Sequence, residues 1–371
     1  MLHLPAGHRV QVSELAETPL EAIENHLALV PQVPPDPTTL RATDVIVQVR
    51  SVSVGWVDLI MTSGQYQHVP KPPYTPGLEY AGDVVWVGNA VPLEKVQVGD
   101  RVLSDGLLTG PRSLGNYQAY GGFATYAVAP AEAVIKIPGR FSYDEACNLL
   151  GNYETAYHCL IARGHLKPRE TVLIHGASGS TGMAAVQIAK LLGATVIATG
   201  RSDEKLALVK SLGADHVVNC RGEDGGLRSF RDDIKALTGG RGVDVVYDGV
   251  GGDISVESLR CMAFGGRFLI VGWASTPSVS RGKGQRGAPN ANVLPTNRIM
   301  MKGIDVLGCP MVISTVVDPS IRIPRLAQVL SWANAGDIHP QISHRFPLSE
   351  FKTAMLAKWR GEVLGGCVLH P

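Results

Sequence analysis

The chain has 371 residues, 34 Lys and Arg against 33 Asp and Glu, and 45% hydrophobic residues, which excludes a mainly disordered chain. A net charge of +1 offers no overall field to polyanions or acidic membrane, so nucleic acid is not an expected partner and any bound phosphate must be captured locally. At roughly 100–200 residues per domain, this length reads as two domains with a cleft.

Residues 1 to about 145 read as strand and turn. VIVQVRSVSV (45–54), DVVWVG (83–88), FATYAV (123–128) and VIKIP (134–138) are short β-rich runs separated by Gly and Pro, and a Gly-, Leu- and Tyr-rich loop spans Ser104 to Gly122. From Thr171 the rhythm becomes strand, glycine turn, helix, strand, the pattern of a parallel sheet covered by helices. TVLIH (171–175) leads through GASGSTG (176–182) into the helical run MAAVQIAKLLG (183–193), and ATVIATG (194–200) follows. SDEKLALVKSLG (202–213) is a helix with Ser202 as N-cap and acids in its first turn. Further strands are expected at DHVVN (215–219), VDVVYD (243–248), RFLIVG (267–272) and IDVLG (304–308). The last sixty residues leave this rhythm and are expected to rejoin the first domain.

The cysteines Cys147, Cys159, Cys220, Cys261, Cys309 and Cys367 form no C-x-x-C or C-x-x-H cluster and read as reduced, mostly buried thiols. The opening MLHLPAGHRV has no charged stretch leading into a continuous apolar one, and no apolar run nears the ~18 residues of a membrane span. A cytoplasmic protein that does not enter the membrane is expected.

The strongest chemical signal is the A-x-G-x-x-G turn Ala177, Ser178, Gly179, Ser180, Thr181, Gly182, set between a buried strand and a helix. Gly179 lets backbone approach a pyrophosphate, Gly182 lets helix pack on strand, and the helix start offers unpaired N–H groups to an anion. Ser178, Ser180 and Thr181 add hydroxyls. At the end of the second strand, where a carboxylate would hold the 2′-hydroxyl of NAD, the chain reads Gly200, Arg201, Ser202. Arg201 and Lys205 can meet a 2′-phosphate, which favours NADPH. The alternative leaves both as solvated charges and lets Asp203 reach the ribose. Gly249, Val250, Gly272 and Trp273 stand at strand ends facing the ligand crevice of a parallel sheet and are candidates for the nicotinamide half.

These motifs resemble the medium-chain dehydrogenases/reductases, in the zinc-free NADPH:quinone oxidoreductase (zeta-crystallin-like) group. The resemblance rests on SVSVGWVDLIMTSGQY (51–66), PPYTPGLEYAGDV (72–84), VGDRV (98–102), GGFATY (121–126), TAY (155–157), VLIHGASGSTGMAAVQIAKLLGATVIAT (172–199), EKLALVKSLGADHVVN (204–219), GGRGVDVVYDGVGG (239–252) and GGRFLIVG (265–272). It implies an α/β architecture: a β-rich GroES-like catalytic domain over 1–145, rejoined by 312–371, and a doubly wound Rossmann domain binding NADPH over 146–311. Where zinc alcohol dehydrogenases carry their catalytic metal ligands, this chain has Gly55, Leu78 and Gly151, so no metal is expected. Without a Lewis acid, hydride acceptors that need little activation fit best: a small-molecule quinone or α,β-unsaturated carbonyl.

The resemblance further implies cleft roles for Trp56, Tyr66, Asn152 and Tyr153, and a cofactor contact for Thr155. Tyr66 resembles the tyrosine that serves enoyl-thioester reductases as proton donor or substrate anchor, and an apolar ring in the cleft is its other reading. Asp58 can tie its loop by accepting backbone N–H bonds. The family's strand-end tyrosine is here Cys220, after Asn219, which stays a candidate at the adenosine phosphate. Arg281, Lys283 and Arg286 are either a solvated loop or a steering patch for the phosphates of a CoA thioester. IDVLG is expected to pair across a two-fold axis in a homodimer. An acryloyl-CoA-type reductase and a structural or RNA-binding protein with little turnover stand as alternative functions.

Overall fold

A computed structural model describes residues 4–113, 115–276 and 290–371, in two units. One unit holds the chain up to Gly151 together with Pro340–Pro371, and the other holds the described residues from Asn152 to His339.

In the first unit β1 (Gly7–Val12) and β2 (Leu27–Gln32) form an antiparallel pair. Next come β3 (Asp44–Ser53), β4 (Tyr80–Val87), β5 (Arg101–Ser104), β6 (Tyr126–Pro130) and β7 (Val134–Lys136). In β3 the period of two decides the packing: Val45, Val47 and Val49 enter the main core, and Ile46 joins Tyr126 and Val128 on the opposite side. β3 lies antiparallel to β4 throughout, and its other edge is shared between β6 at the start and the C-terminal strand at the end.

The second unit contains β8 (Thr171–Ile174), β9 (Thr195–Gly200), β10 (His216–Asn219), β11 (Val243–Asp248), β12 (Met262–Ile270) and β13 (Asp305–Gly308). Among the described residues these make a parallel sheet in the order β10-β9-β8-β11-β12-β13. All four residues of β8 are buried, as a strand covered on both faces requires. The order reverses between β8 and β11, so the loops after these strands flank the switch point where such sheets bind ligands.

Strands β14 (Ile342–Pro347) and β15 (Gly366–His370) complete the first unit's sheet, with β15 beside β3. The boundaries differ from those expected. Residues 146–151 group with the first unit, and the chain returns to it at Pro340 instead of near 312. The helix Arg322–Ala335 stays with the nucleotide-type unit because its Arg322 and Arg325 both reach the buried Glu154, at 2.7 Å and 2.8 Å. All six cysteines are buried free thiols, and no described helix is long and apolar enough to cross a membrane.

Candidate active site

In the first unit the helix Trp56–Met61 starts at Gly55, and its third residue, Asp58, organises the loops around it. Asp58 Oδ2 accepts from the Gly55 N–H at 2.8 Å, and Oδ1 accepts from the N–H groups of Gly77 and Leu78 at 3.1 Å and 3.0 Å. The loop-tying role read for Asp58 is therefore what the hydrogen bonds show. Burial outweighs these donors and pushes its pKa up to about 6.

Next along the chain, Glu79 Oε1 accepts from the Gly151 N–H at 2.7 Å. A Cβ built at Gly151 would stand 2.6 Å from Glu79 Oε2, and one at Gly55 would stand 3.1 Å from Asp58 Oδ2. The positions that resemble metal-ligand positions thus carry no donor side chain, and carboxylates hydrogen-bonded to backbone lie against two of them.

Trp56 is stacked on Trp359, with centroids 5.3 Å apart and planes 2° from parallel, so its indole forms an aromatic wall. Tyr66 is half-buried in a loop where two polar atoms, Gln65 Oε1 and His68 Nε2, are buried without a hydrogen-bond partner. Sequence reasoning missed Arg112. It is 8% exposed, donates from Nε to the Gly106 carbonyl at 3.2 Å, and feels the charges of the carboxylates Glu79 and Asp105. Burial works against its charge, but Tyr66 and the two carboxylates more than offset this, and its pKa is raised. One signal was available: Arg112 is the sole charged residue between Asp105 and Glu132.

In the second unit the glycine turn sits between β8 and the helix Ser180–Leu191, whose N-cap, Gly179, makes no side-chain cap bond. A Cβ at Gly182 would fall 2.3 Å from the Gly176 carbonyl oxygen, so glycine there is a packing necessity. At Gly179 the nearest atom would be 3.4 Å away, which leaves the approach to the helix N-terminus open. Ala177 is buried beneath, and Ser178 and Ser180 are half-buried at the rim. This geometry fits a dinucleotide pyrophosphate. Thr181 spends its hydroxyl proton on Asn152 Oδ1 at 2.9 Å, so it meets an anion only as backbone and as the orienter of Asn152.

Tyr153 departs from the cleft role read for it. It is buried and donates to Gln187 Oε1 at 2.9 Å, while the Gln187 amide is bonded to both the N–H and the carbonyl of His339. It anchors the 339 segment. Thr155 is half-buried on the helix Leu150–Tyr157.

At the tip of β9, a Cβ on Gly200 would press on Leu206 at 3.1 Å. Ser202 caps the helix Asp203–Ser211 as expected, accepting from the Lys205 N–H at 3.4 Å. Asp203 is engaged by the Asn219 amide at 2.8 Å, and Arg201 is exposed, its guanidinium on the Gly225 carbonyl. After β11, the N–H groups of Val250 and Gly251 fold onto Asp248 Oδ1 at 2.9 Å, and Gly249 and Val250 accept from Ala274 and Ser275. The two strand-end loops therefore pack together, with Gly251, Gly272 and Trp273 lining a cavity of about 110 Å³. Arg281, Lys283 and Arg286 lie outside the described residues.

Two family models match the chain: "Alcohol dehydrogenase GroES-like domain" over residues 41–139 and "Zinc-binding dehydrogenase" over residues 180–323. Quinone oxidoreductase-like protein 2 of Bos taurus is 32% identical over 322 residues, which cover 86% of this chain and 83% of that protein. The chain belongs to the quinone oxidoreductase-like medium-chain dehydrogenases/reductases.

Two solved structures resemble this quinone oxidoreductase-like chain along its length. Mycobacterial Rv1454c complexed with NADPH is 27% identical with a TM-score of 0.77, over 98% of this chain and 100% of that one. A probable oxidoreductase from Mycobacterium abscessus is 27% identical with a TM-score of 0.78, over 99% and 100%. One family description names zinc, and the residues do not fit a zinc site at Gly55, Leu78 and Gly151. Among the described residues no group of three or more His, Cys, Asp or Glu is placed to hold a metal ion.

Proposed function

We propose that this oxidoreductase uses NADPH to deliver hydride to a quinone or an α,β-unsaturated carbonyl, and that it does so without zinc. The observation that carries the reading is the trio Gly55, Leu78 and Gly151, flanked by carboxylates already committed to backbone N–H groups. An alcohol is hard to ionise and a ketone hard to polarise without a Lewis acid, whereas quinones and enones accept hydride readily.

The cofactor is NADPH, which supplies the hydride when bound. The open helix N-terminus at Gly179 suits its pyrophosphate, and Arg201 and Lys205 suit its 2′-phosphate, Asp203 being held by Asn219. Gly249, Val250, Gly272 and Trp273 are assigned to the nicotinamide half, Asn152 and Thr155 beside it, and Asn219 to the adenosine end. In the first unit Trp56 supplies an apolar wall and Tyr66 a hydroxyl for the acceptor oxygen. Catalysis is mainly positioning in a water-poor site, with a proton following the hydride.

A second reading, reduction of an enoyl thioester, is favoured by the half-buried Tyr66 between two unpartnered polar atoms. Oxidation of NADPH and NADH in the presence of a chelator, with 1,4-benzoquinone, 9,10-phenanthrenequinone, an alkenal and crotonyl-CoA side by side, tests both. Faster turnover on the quinones or the alkenal with NADPH is expected, and preference for crotonyl-CoA would install the second reading.

A homodimer is part of the proposal. Among the described residues β13 ends the parallel sheet with one edge unpaired, and Phe264, Met300 and Met301 beside it are 84%, 74% and 70% exposed. Cytoplasmic residence agrees with six unpaired thiols.

A further inference from the structure

We propose that His175 is a positioning residue for NADPH: with a hydrogen bond at each ring nitrogen it fixes the spacing between the loops assigned to the adenosine end of the cofactor and those assigned to the nicotinamide end. The inference rests on the NADPH reading above and goes beyond it by assigning a role to a buried polar layer beneath those loops.

His175 follows β8 directly and precedes Gly176, where the glycine turn begins. It is buried, and its two nitrogens meet two different elements. Nδ1 lies 2.7 Å from Thr199 Oγ1, one residue before the tip of β9 at Gly200. Nε2 lies 2.6 Å from Ser258 Oγ on the helix Asp253–Cys261.

The neighbours of these hydroxyls determine which nitrogen carries the hydrogen. Ser258 Oγ donates to the Ile254 carbonyl at 2.6 Å, so it presents its oxygen to the ring and Nε2 is the donor. Nδ1 then accepts the Thr199 hydroxyl proton. Burial favours this neutral imidazole over the charged one. Each ring nitrogen and each hydroxyl now has a complementary partner, the condition under which a buried network holds a single geometry.

Thr199 and the helix of Ser258 in turn hold the cofactor loops. The Thr199 carbonyl accepts from the Ala177 N–H at 3.3 Å, which joins the tip of β9 to the glycine turn. One helical turn before Ser258, Ser255 donates to Asp248 Oδ2, while Asp248 Oδ1 accepts from the N–H groups of Val250 and Gly251 at 2.9 Å. His175 therefore links the strand tip that leads to Gly200 and Arg201 with the helix that holds the loop at Val250. A dinucleotide engages both ends at once, so a fixed spacing lets the second end bind at the high effective concentration created by the first. With the link loosened, each end keeps its local contacts and the whole cofactor loses affinity.

Two further acceptors separate this role from a contribution to stability alone. Without the imidazole, the Thr199 hydroxyl still reaches the Ile174 carbonyl at 3.4 Å, and Ser258 keeps its bond to Ile254. Neither hydroxyl is stranded, so an apolar side chain at position 175 should be tolerated by the fold.

Calorimetric titration of NADPH, and of 2′,5′-ADP as a probe of the adenosine end alone, into wild type, His175→Leu, Thr199→Val and the double variant tests this, with melting temperature measured on each. His175→Leu should weaken NADPH binding about tenfold and leave 2′,5′-ADP within about twofold. Thr199→Val keeps the side-chain shape and removes only the bond to Nδ1, and should weaken NADPH about threefold while again sparing 2′,5′-ADP. Combining the two should cost less than about twofold beyond His175→Leu, because both changes cut one link. Nitrogen-15 NMR of wild type should show the His175 hydrogen on Nε2.

If His175→Leu does not fold, Thr199→Val carries the same comparison of the two ligands. Unchanged NADPH affinity, equal losses for NADPH and 2′,5′-ADP, or a hydrogen on Nδ1 would overturn the proposal while leaving the NADPH reading in place. A wild-type protein that binds neither ligand would overturn both.

Discussion

Asp58 is buried and spends both carboxylate oxygens on the N–H groups of Gly55, Gly77 and Leu78. Its pKa, pushed up to about 6 from 3.8, means that the folded chain binds this proton more tightly than the unfolded chain does. The sign follows from linkage: the folded state is favoured below pH 4, and that contribution is lost as pH rises through about 6. At about 1.4 kcal/mol per unit, the loss is about 3 kcal/mol. Asn at this position does not titrate, so the unfolding free energy of wild type relative to Asp58→Asn should decline between pH 4 and 6. Urea titrations at several pH values measure it, and a flat or rising difference would refute the assignment. Glu79 is committed in the same way, its Oε1 accepting from the Gly151 N–H at 2.7 Å.

On the proposed function, β9 and the helix Asp203–Ser211 carry the cofactor preference. In the proposed function Arg201 and Lys205 meet the 2′-phosphate beyond the tip of β9, where charge-assisted hydrogen bonds are worth about 1.5–3 kcal/mol each. Reversing both charges should raise the KM for NADPH by about ten- to a hundredfold and leave that for NADH nearly unchanged. Equal effects on the two cofactors would show that the helix itself had been damaged.

Elements of this kind were readable because each is local. A run such as TVLI is buried on both faces wherever a parallel sheet forms, and Gly182 must be glycine for reasons contained within seven residues. Ser202 as N-cap followed from the same local logic. What escaped was set by contacts distant in sequence. Tyr153 lies beside a family motif, and its anchoring role appears only when Gln187 and His339 come together around it. The helix Arg322–Ala335 stays with the nucleotide-type unit because of Glu154, a pairing that no periodicity reveals. Arg112 belongs to a loop whose composition is that of a surface turn, and the Glu79 charge that acts on it stands two strands earlier in the chain, before β4 and β5.

At the scale of the whole molecule the edge of β13, unpaired among the described residues, predicts assembly. A second copy adding its own β13 across a two-fold axis would cover Phe264, Met300 and Met301. Sedimentation should then give twice the chain mass for wild type, and Val306→Pro, which removes an edge donor, should shift it towards the monomer. A wild-type monomer at micromolar concentration would reject this arrangement.

The central claim is that hydride reaches the acceptor from NADPH without zinc. Its most direct test is the rate of NADPH oxidation with 9,10-phenanthrenequinone before and after exhaustive chelation, and again after zinc is added back. One rate is expected in all three conditions, with NADPH preferred to NADH throughout. Activity that vanishes on chelation and returns with zinc would contradict it.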